Sequence, residues 1–332
     1  MNHRRQQRGI ALITAIFVVA LASIAAVAMF EATAIAVRRT TFLSESEAEW
    51  WFADGIESWV KEVLILDEQQ NQTDGLGDLW AQPVPGLPIG DEKGNIGNAS
   101  GYIEDLQGRF NLNNLGTTNP QQLQLYLSQF QRLLDNLPNF DASDYRGVGT
   151  AIHDWIDADS EPSGPGGAED VDYLSLDPPY RAANQPLHST SELLLIKGVT
   201  PQLFNALAPY VTALPATATG TPINVNTAPE PVLRALAPDL NGAALEKFLQ
   251  ARKLKPATDV AQLLTTGDYA FLPAAPGGTA TGVSLKSELA VKTSYFELHA
   301  EISVGSGRLR LYSVYDRSGG TPIVIAHSTN TD

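Results

Sequence analysis

The residues best suited to chemistry lie between Asp135 and Asp177. That stretch holds eleven carboxylates, at positions 135, 141, 144, 154, 157, 159, 161, 169, 170, 172 and 177, against one arginine, Arg146. Within it Asp157-Ala158-Asp159-Ser160-Glu161 alternates acids with small residues, and Gly164-Pro165-Gly166-Gly167 precedes Glu169-Asp170. Hard oxygens on a glycine-rich loop suit calcium, which takes about six to eight oxygens at ~2.3–2.6 Å, better than magnesium with its stricter octahedron. Asp157, Asp159, Glu161, Glu169 and Asp170 are the candidate ligands. The spacing is not that of an EF-hand, because Pro162 stands where the loop glycine belongs and no acid occupies the twelfth position. The alternative for the same residues is a solvated acidic loop.

Little else points to catalysis. His3, His153, His188, His299 and His327 are scattered, with no His-Glu-x-x-His pair, and neither a Walker loop nor Gly-x-Gly-x-x-Gly occurs. The chain has no cysteine, which excludes disulfides, thiolate chemistry and Cys-ligated metals. A net charge of -15 disfavours general nucleic-acid binding, which rests on neutralising phosphates. One pattern cuts the other way. Leu193 to Thr200 and Asn224 to Ala228 look like the two halves of a helix-hairpin-helix, in a segment (190–255) with six Lys/Arg and four acids. Thr200 replaces the expected second glycine, so helix packing with Pro and Asn caps is the favoured reading and no nucleic-acid partner is expected. A membrane-tethered DNA receptor is the rival.

The elements around these residues begin with a stalk. Arg4, Arg5 and Arg8 precede 21 uncharged residues, Ile10 to Phe30, enough helix to cross roughly 30 Å of hydrocarbon. The basic flank places the N-terminus inside and the remainder outside. The apolar run is too long for an ordinary secretory signal and the helical pattern does not stop after it. From Ile10 to Leu66 there is no proline and only Gly55, while Phe52, Ile56, Trp59, Val60 and Val63 mark one buried face. Trp50, Trp51 and Trp59 are expected to seat this helix on a sheet.

Residues 67–100, rich in Gly, Pro, Asn and Asp, read as an irregular connection. Gly101 to Leu115 reads as a strand pair turning at Gln107-Gly108. Leu123 to Leu137 is an amphipathic helix closed by Pro138, and Tyr145 to Ile156 is another. Shorter helices fit 189–197, 201–213, 229–237, 242–254 and 258–265, followed by a Gly/Pro-rich loop over 266–282. Phe296 to Val304 and Arg308 to Tyr315 alternate apolar and polar residues about Gly305-Ser306-Gly307, a hairpin, with an edge strand over 321–326. Strands on both sides of a helical block imply an α+β fold, a sheet interrupted by an inserted helical domain.

The basic leader ending at Gly9, followed by Ile10-Ala11-Leu12-Ile13 and a long apolar helix, resembles the type IV pilin class of signal. The resemblance implies cleavage by a prepilin peptidase between Gly9 and Ile10, with methylation of the new terminus. Thr14 stands at the fifth mature position, where that class carries glutamate. This departure, with Gly108-Arg109-Phe110-Asn111-Leu112-Asn113, Asp154-Trp155-Ile156-Asp157, Gly167-Ala168-Glu169-Asp170 and Pro222 to Ala228, resembles the K-class minor pseudopilins of type II secretion, general secretion pathway protein K. That family implies a pilin-like fold, a long N-terminal helix on an antiparallel sheet, carrying an all-helical insertion. The boundaries are then a leader at 1–9, stalk at 10–66, pseudopilin domain at 67–116 and 286–332, and insertion at 117–285. It further implies calcium in the insertion, a single inner-membrane pass with a periplasmic globular part, and I- and J-class pseudopilin partners in a tip complex. A minor pilin of a type IV pilus is the alternative in the same class. Thr14 has two readings: a subunit with no neighbour above it, or a tolerated hydroxyl bonded back to its own helix.

Overall fold

The computed structural model describes residues 4–91, 94–238, 240, 242–264, 267–272 and 285–329. A single helix, α1 (Arg4–Gln70), runs from the leader through the apolar segment to the globular part. Its apolar half is exposed from Ile10 to Leu43 and is long and apolar enough to cross a membrane once. Thr14, Ser23, Thr33 and Thr40 each donate a hydroxyl proton to a carbonyl three or four residues back, which hides their polarity in the helix.

The other half of α1 packs on a five-stranded antiparallel sheet ordered β1 (Val84–Asp91), β2 (Gly94–Asp105), β7 (Tyr295–Val304), β8 (Gly307–Asp316), β9 (Ile323–Thr329). Strand alternation sends Phe296, Leu298, Ala300 and Ile302 of β7 and Leu309, Leu311 and Tyr315 of β8 toward the helix, where they bury Ala53, Val60, Val63 and Leu64. The β7–β8 turn passes directly beneath α1. Gly305 there has φ +56°, and a Cβ would meet the Glu45 carboxylate, whose Oε2 accepts from the Ser306 hydroxyl at 2.8 Å. The tryptophans do not seat the stalk: Trp50, Trp51 and Trp59 are exposed, and Ala53 with the flanking Phe52 and Ile56 makes the contact instead. Close helix–sheet approach favours a small residue at its centre.

Between β2 and β7 lies the helical block: β3 (Phe110–Asn111), α2 (Pro120–Asp135), α3 (Val148–Ile156), α4 (Asp170–Tyr173), α5 (Pro201–Leu207), β4 (Val211–Thr212), β5 (Ile223–Asn224), α6 (Glu230–Ala235), α7 (Gly242–Leu254) and β6 (Leu289–Ala290). Tyr126, Phe130, Leu133 and Leu134 of α2 and Ile152 and Trp155 of α3 centre a core distinct from that beneath α1. The stretches 189–197 and 258–265 contain 3-10 turns (Thr190–Leu195, Val260–Leu263) where α-helices were expected, and the helix expected over 201–213 ends in a 3-10 turn and β4. The loop expected over 266–282 lies mainly outside the described residues.

Two readings of the sheet need correction. Residues 67–100 are not an irregular connection throughout: α1 continues to Gln70, and Val84 onward forms the β1–β2 hairpin. Pro85, Pro88 and two glycines hide β1, yet an edge strand pairs on one side only and tolerates proline. Nor do residues 101–115 make a hairpin. After Asp105 the chain enters a 3-10 turn, Leu106–Gly108, and β3 pairs in parallel with β4 inside the helical block.

Sheet, stalk and block meet at a buried polar junction around Arg317, 3% exposed. Its guanidinium donates to Asp74 at 2.7 and 2.8 Å, to Asp67 at 3.2 Å, and to the carbonyls of Leu64 (3.3 Å) and Thr293 (2.9 Å). Asp74 also accepts from Thr293 N at 2.8 Å, and its carbonyl from Asn224 Nδ2 at 3.0 Å. Asn224 then reaches Asp105 Oδ2 at 2.7 Å, which Thr227 Oγ1 also contacts at 2.6 Å. Breaking one partner of a buried ion pair costs about 3–5 kcal/mol, whereas exposed pairs are worth about 0–1 kcal/mol. Arg317→Met should lower stability by about 3–5 kcal/mol, and Arg310→Met at the exposed pair with Glu301 by under about 1 kcal/mol, read by urea denaturation in detergent.

Candidate functional site

The acidic cluster is built on the end of α3. Asp157 follows the last helical residue, its N–H donating to His153 O at 2.9 Å. The His153 ring donates from Nδ1 to Leu115 O at 2.6 Å, leaving Nε2 3.4 Å from Asp157 Oδ2. Fully buried Asp154 shapes the following loop by accepting from Ser163 N at 3.1 Å and Ala168 N at 2.8 Å. The loop passes so close that a Cβ on Gly167 would lie 2.4 Å from Asp154 Oδ2. That approach explains Gly167, while Gly166 lies against the Gly147 backbone.

The loop brings Asp157, Asp159 and Glu169 together, each offering a carboxylate oxygen within 4.8 Å of the others. Glu169 is 1% exposed, and neither carboxylate oxygen has a hydrogen-bond partner; Asp157 Oδ1 is also buried and unpartnered. Burial, and then the charges of Asp157, Asp154 and Asp159, push the Glu169 carboxyl up to about 7. Burial likewise raises Asp157. Buried anions without donors are costly, so this pocket calls for a proton or a cation.

The remaining two candidates lie apart. Glu161 is exposed, and its backbone N–H donates to Asp159 Oδ1 at 2.9 Å. Asp170 turns away to Arg181 at 2.6 Å and Ala182 N at 3.1 Å. One further candidate carries no charge. Asn184, at φ +46°, donates its Nδ2 to Asp159 O at 3.0 Å and leaves Oδ1 buried without a partner. It lies beyond the acidic run and carries no charge, so no carboxylate count could find it. The three carboxylates form a hard-oxygen donor set that fits calcium, and the unpartnered Asn184 amide oxygen, on a side chain bonded to Asp159 O, is a further candidate ligand.

The remaining singled-out residues serve other ends. Thr14 donates its hydroxyl to Ile10 O at 3.1 Å and Ala11 O at 3.0 Å. Gly9 and Ile10 lie within α1, and Ile10 is exposed. The would-be hairpin halves are spent internally. Thr200 caps α5 by accepting from Leu203 N at 3.2 Å, while Asn224 and Asn226 are buried, Asn226 bridging Ala257 N (2.8 Å) and Ala257 O (3.1 Å). Asn224 thus serves the junction with the sheet rather than capping a helix. Asn111 and Asn113 likewise close the chain around Leu214 and Leu187.

Residues 108–216 and 223–281 match two family descriptions, both "Type II secretion system (T2SS), protein K". Type II secretion system protein K of Aeromonas hydrophila is 33% identical over 98% of this chain and 98% of its own. The Pseudomonas aeruginosa protein of that name is 34% identical over 95% of this chain and 90% of its own. Among solved structures, a chain of the GspK–GspI–GspJ complex from the type 2 secretion system of enterotoxigenic Escherichia coli superposes with a TM-score of 0.75. It is 28% identical and covers 89% of this chain and 100% of the other.

The metal-free cluster has a pH signature. Glu169 titrates near 7 when folded and near 4.5 when unfolded, so between those values the native state holds a proton the unfolded chain lacks. Its contribution is full below about 4.5 and is lost as pH rises through 7. In chelator the melting temperature should fall across that window, and Glu169→Gln should flatten the fall; parallel curves for the two proteins would refute the assignment.

Proposed function

The chain belongs to the type II secretion system protein K family of minor pseudopilins, and from that premise we propose that it caps the pseudopilus tip and helps initiate its assembly. The observation that carries the proposal is the placement of the helical block. β2 leaves the sheet at Asp105 and β7 returns at Tyr295, both at the end where Arg317 grips the last turns of α1, opposite the Gly305 turn that faces the stalk. A block at that far end obstructs a further subunit stacked along the stalk axis. Thr14 offers no carboxylate to the N-terminal ammonium of a neighbour above, which agrees with a cap, although its hydroxyl bonds back to its own helix as the tolerated-residue reading expects. The solved neighbour, a complex with GspI and GspJ, supports I- and J-class pseudopilins as partners.

In this reading α1 is the inner-membrane anchor, its basic leader cytoplasmic and the globular part periplasmic. A prepilin peptidase removes the leader between Gly9 and Ile10, and the new terminus is methylated. The protein carries out no catalysis. Deleting the chain should impair initiation of assembly and export, and Thr14→Glu should leave both close to wild type. Gold label against the helical block on overproduced pseudopili should fall at one end; regular spacing along the shaft would overturn the cap.

Calcium bound by Asp157, Asp159, Glu169 and Asn184 would supply the charge compensation the cluster lacks and pin the 157–169 loop in a chain without disulfides. A ligand that binds only the folded state stabilises it by about 2.7 kcal/mol at a hundredfold excess over Kd. Calcium should therefore raise the melting temperature, and Asp159→Asn with Glu169→Gln should remove that response. An unchanged curve, with no metal by elemental analysis, would refute the site.

A further inference from the structure

Arg146 is the one arginine among the eleven carboxylates of Asp135–Asp177, yet it pairs with none of them. It is exposed and makes no hydrogen bond or ion pair among the described residues. Instead it lines a groove of about 400 Å³ between α2 and α3, together with Arg132. Arg132 is half-buried and bound only to carbonyls, Ala235 O at 2.7 Å and Leu236 O at 3.5 Å. Burial lowers its pKa with no anion offsetting the effect. In a chain of net charge -15, two arginines that pair with no carboxylate line one groove, a local reversal of sign.

The walls of the groove narrow the choice of ligand. Leu127 gives it an apolar wall above the buried Phe130, and Gly149 lets α3 lie close to α2 there, since a Cβ would lie 3.2 Å from both side chains. Gln124 and Thr150 line it with side chains that make no hydrogen bond among the described residues. Arginine pairs with carboxylates through two parallel hydrogen bonds, and free amides and hydroxyls suit peptide backbone groups. The acidic surroundings repel a polyphosphate strand, whereas a single carboxylate beside an aliphatic side chain matches both the charges and the apolar wall. We infer that the α2–α3 groove is a docking site for an acidic peptide segment of a partner protein, one carboxylate held by Arg132 and Arg146 and its apolar neighbour set on Leu127.

The test uses the full chain in detergent and fluorescence anisotropy of a labelled, end-blocked Leu-Asp-Glu-Leu peptide. Its Leu-Asn-Gln-Leu isostere should bind roughly tenfold or more weakly, because the amides lose the charge-assisted pairs. Arg146→Glu should weaken the acidic peptide by a similar factor with an unchanged melting temperature, since nothing in the fold depends on that side chain. Arg132 also holds the end of α6, so Arg132→Lys is the companion variant, retaining charge but losing the bidentate fork, with intermediate binding expected. Equal binding of the isostere, or indifference to Arg146→Glu, would overturn the proposal. So would displacement of the peptide by inorganic phosphate at equal concentration, which would mark a general anion site.

Discussion

Everything in this molecule hangs on the compensation of Arg317. A guanidinium taken out of water is tolerable only if nearly all its donors are used, and here they reach two carboxylates and two carbonyls. Those acceptors come from segments far apart in sequence: the last turns of α1, the connection after it, and the approach to β7. Burial alone would lower the Arg317 pKa, but Asp74, Asp67 and Glu68 more than offset it, and the side chain stays cationic. Its face also lies 4.6 Å from the centre of the Phe296 ring, which ties the same charge to the apolar core beneath α1. The position of the stalk on the sheet is set where the polar and apolar systems touch.

In a chain without cysteine, buried amides take over the cross-linking. Asn111, Asn113, Asn114 and Asn226 each use both ends of the side chain against partners distant in sequence, and Asn224 donates to distant Asp74 O and Asp105 while accepting from Asn226 N. An amide is well suited because one end donates and the other accepts, so a single side chain can satisfy both groups of a passing strand. The stretches 108–113 and 222–228, which carried the family resemblance, are therefore structural fasteners. Their role explains why they cluster where the helical block joins the sheet.

Sequence alone made some of this legible. α2 and the β7–β8 hairpin were readable because one face of each is buried and the other wet, which writes the period of the element into the residues. β1 was not, since an edge strand with two prolines carries no such alternation, and its pairing with β2 is long-range information. The tryptophans misled because size was taken as a sign of burial, whereas the helix–sheet contact selects a small residue, Ala53. For the acidic cluster, composition located the loop and three of its oxygens. It could not separate Asp170, whose partner Arg181 lies eleven residues further on, nor point to Asn184, which long-range hydrogen bonds to Trp155 O and Asp159 O bring beside the loop. Short-range charge patterns show where acids are dense, and only the fold shows which are left without donors.

The same junction determines how motion of the stalk would reach the helical block. α1 is unbroken from the apolar segment to Gln70, so axial displacement is carried along one helix to the Arg317 site. There the chain crosses between sheet and block twice, after Asp105 and before Tyr295, and both crossings are bound. Gln107 accepts from Ser294 N at 2.5 Å and from Thr293 Oγ1 at 3.1 Å, while its Nε2 donates to Pro222 O at 3.0 Å. Pivoting the block would expose or orphan these groups together, and a buried group left without its partner costs about 1–3 kcal/mol each. Several such penalties exceed thermal energy many times over. A displacement of the stalk along its own axis would therefore carry the block with it.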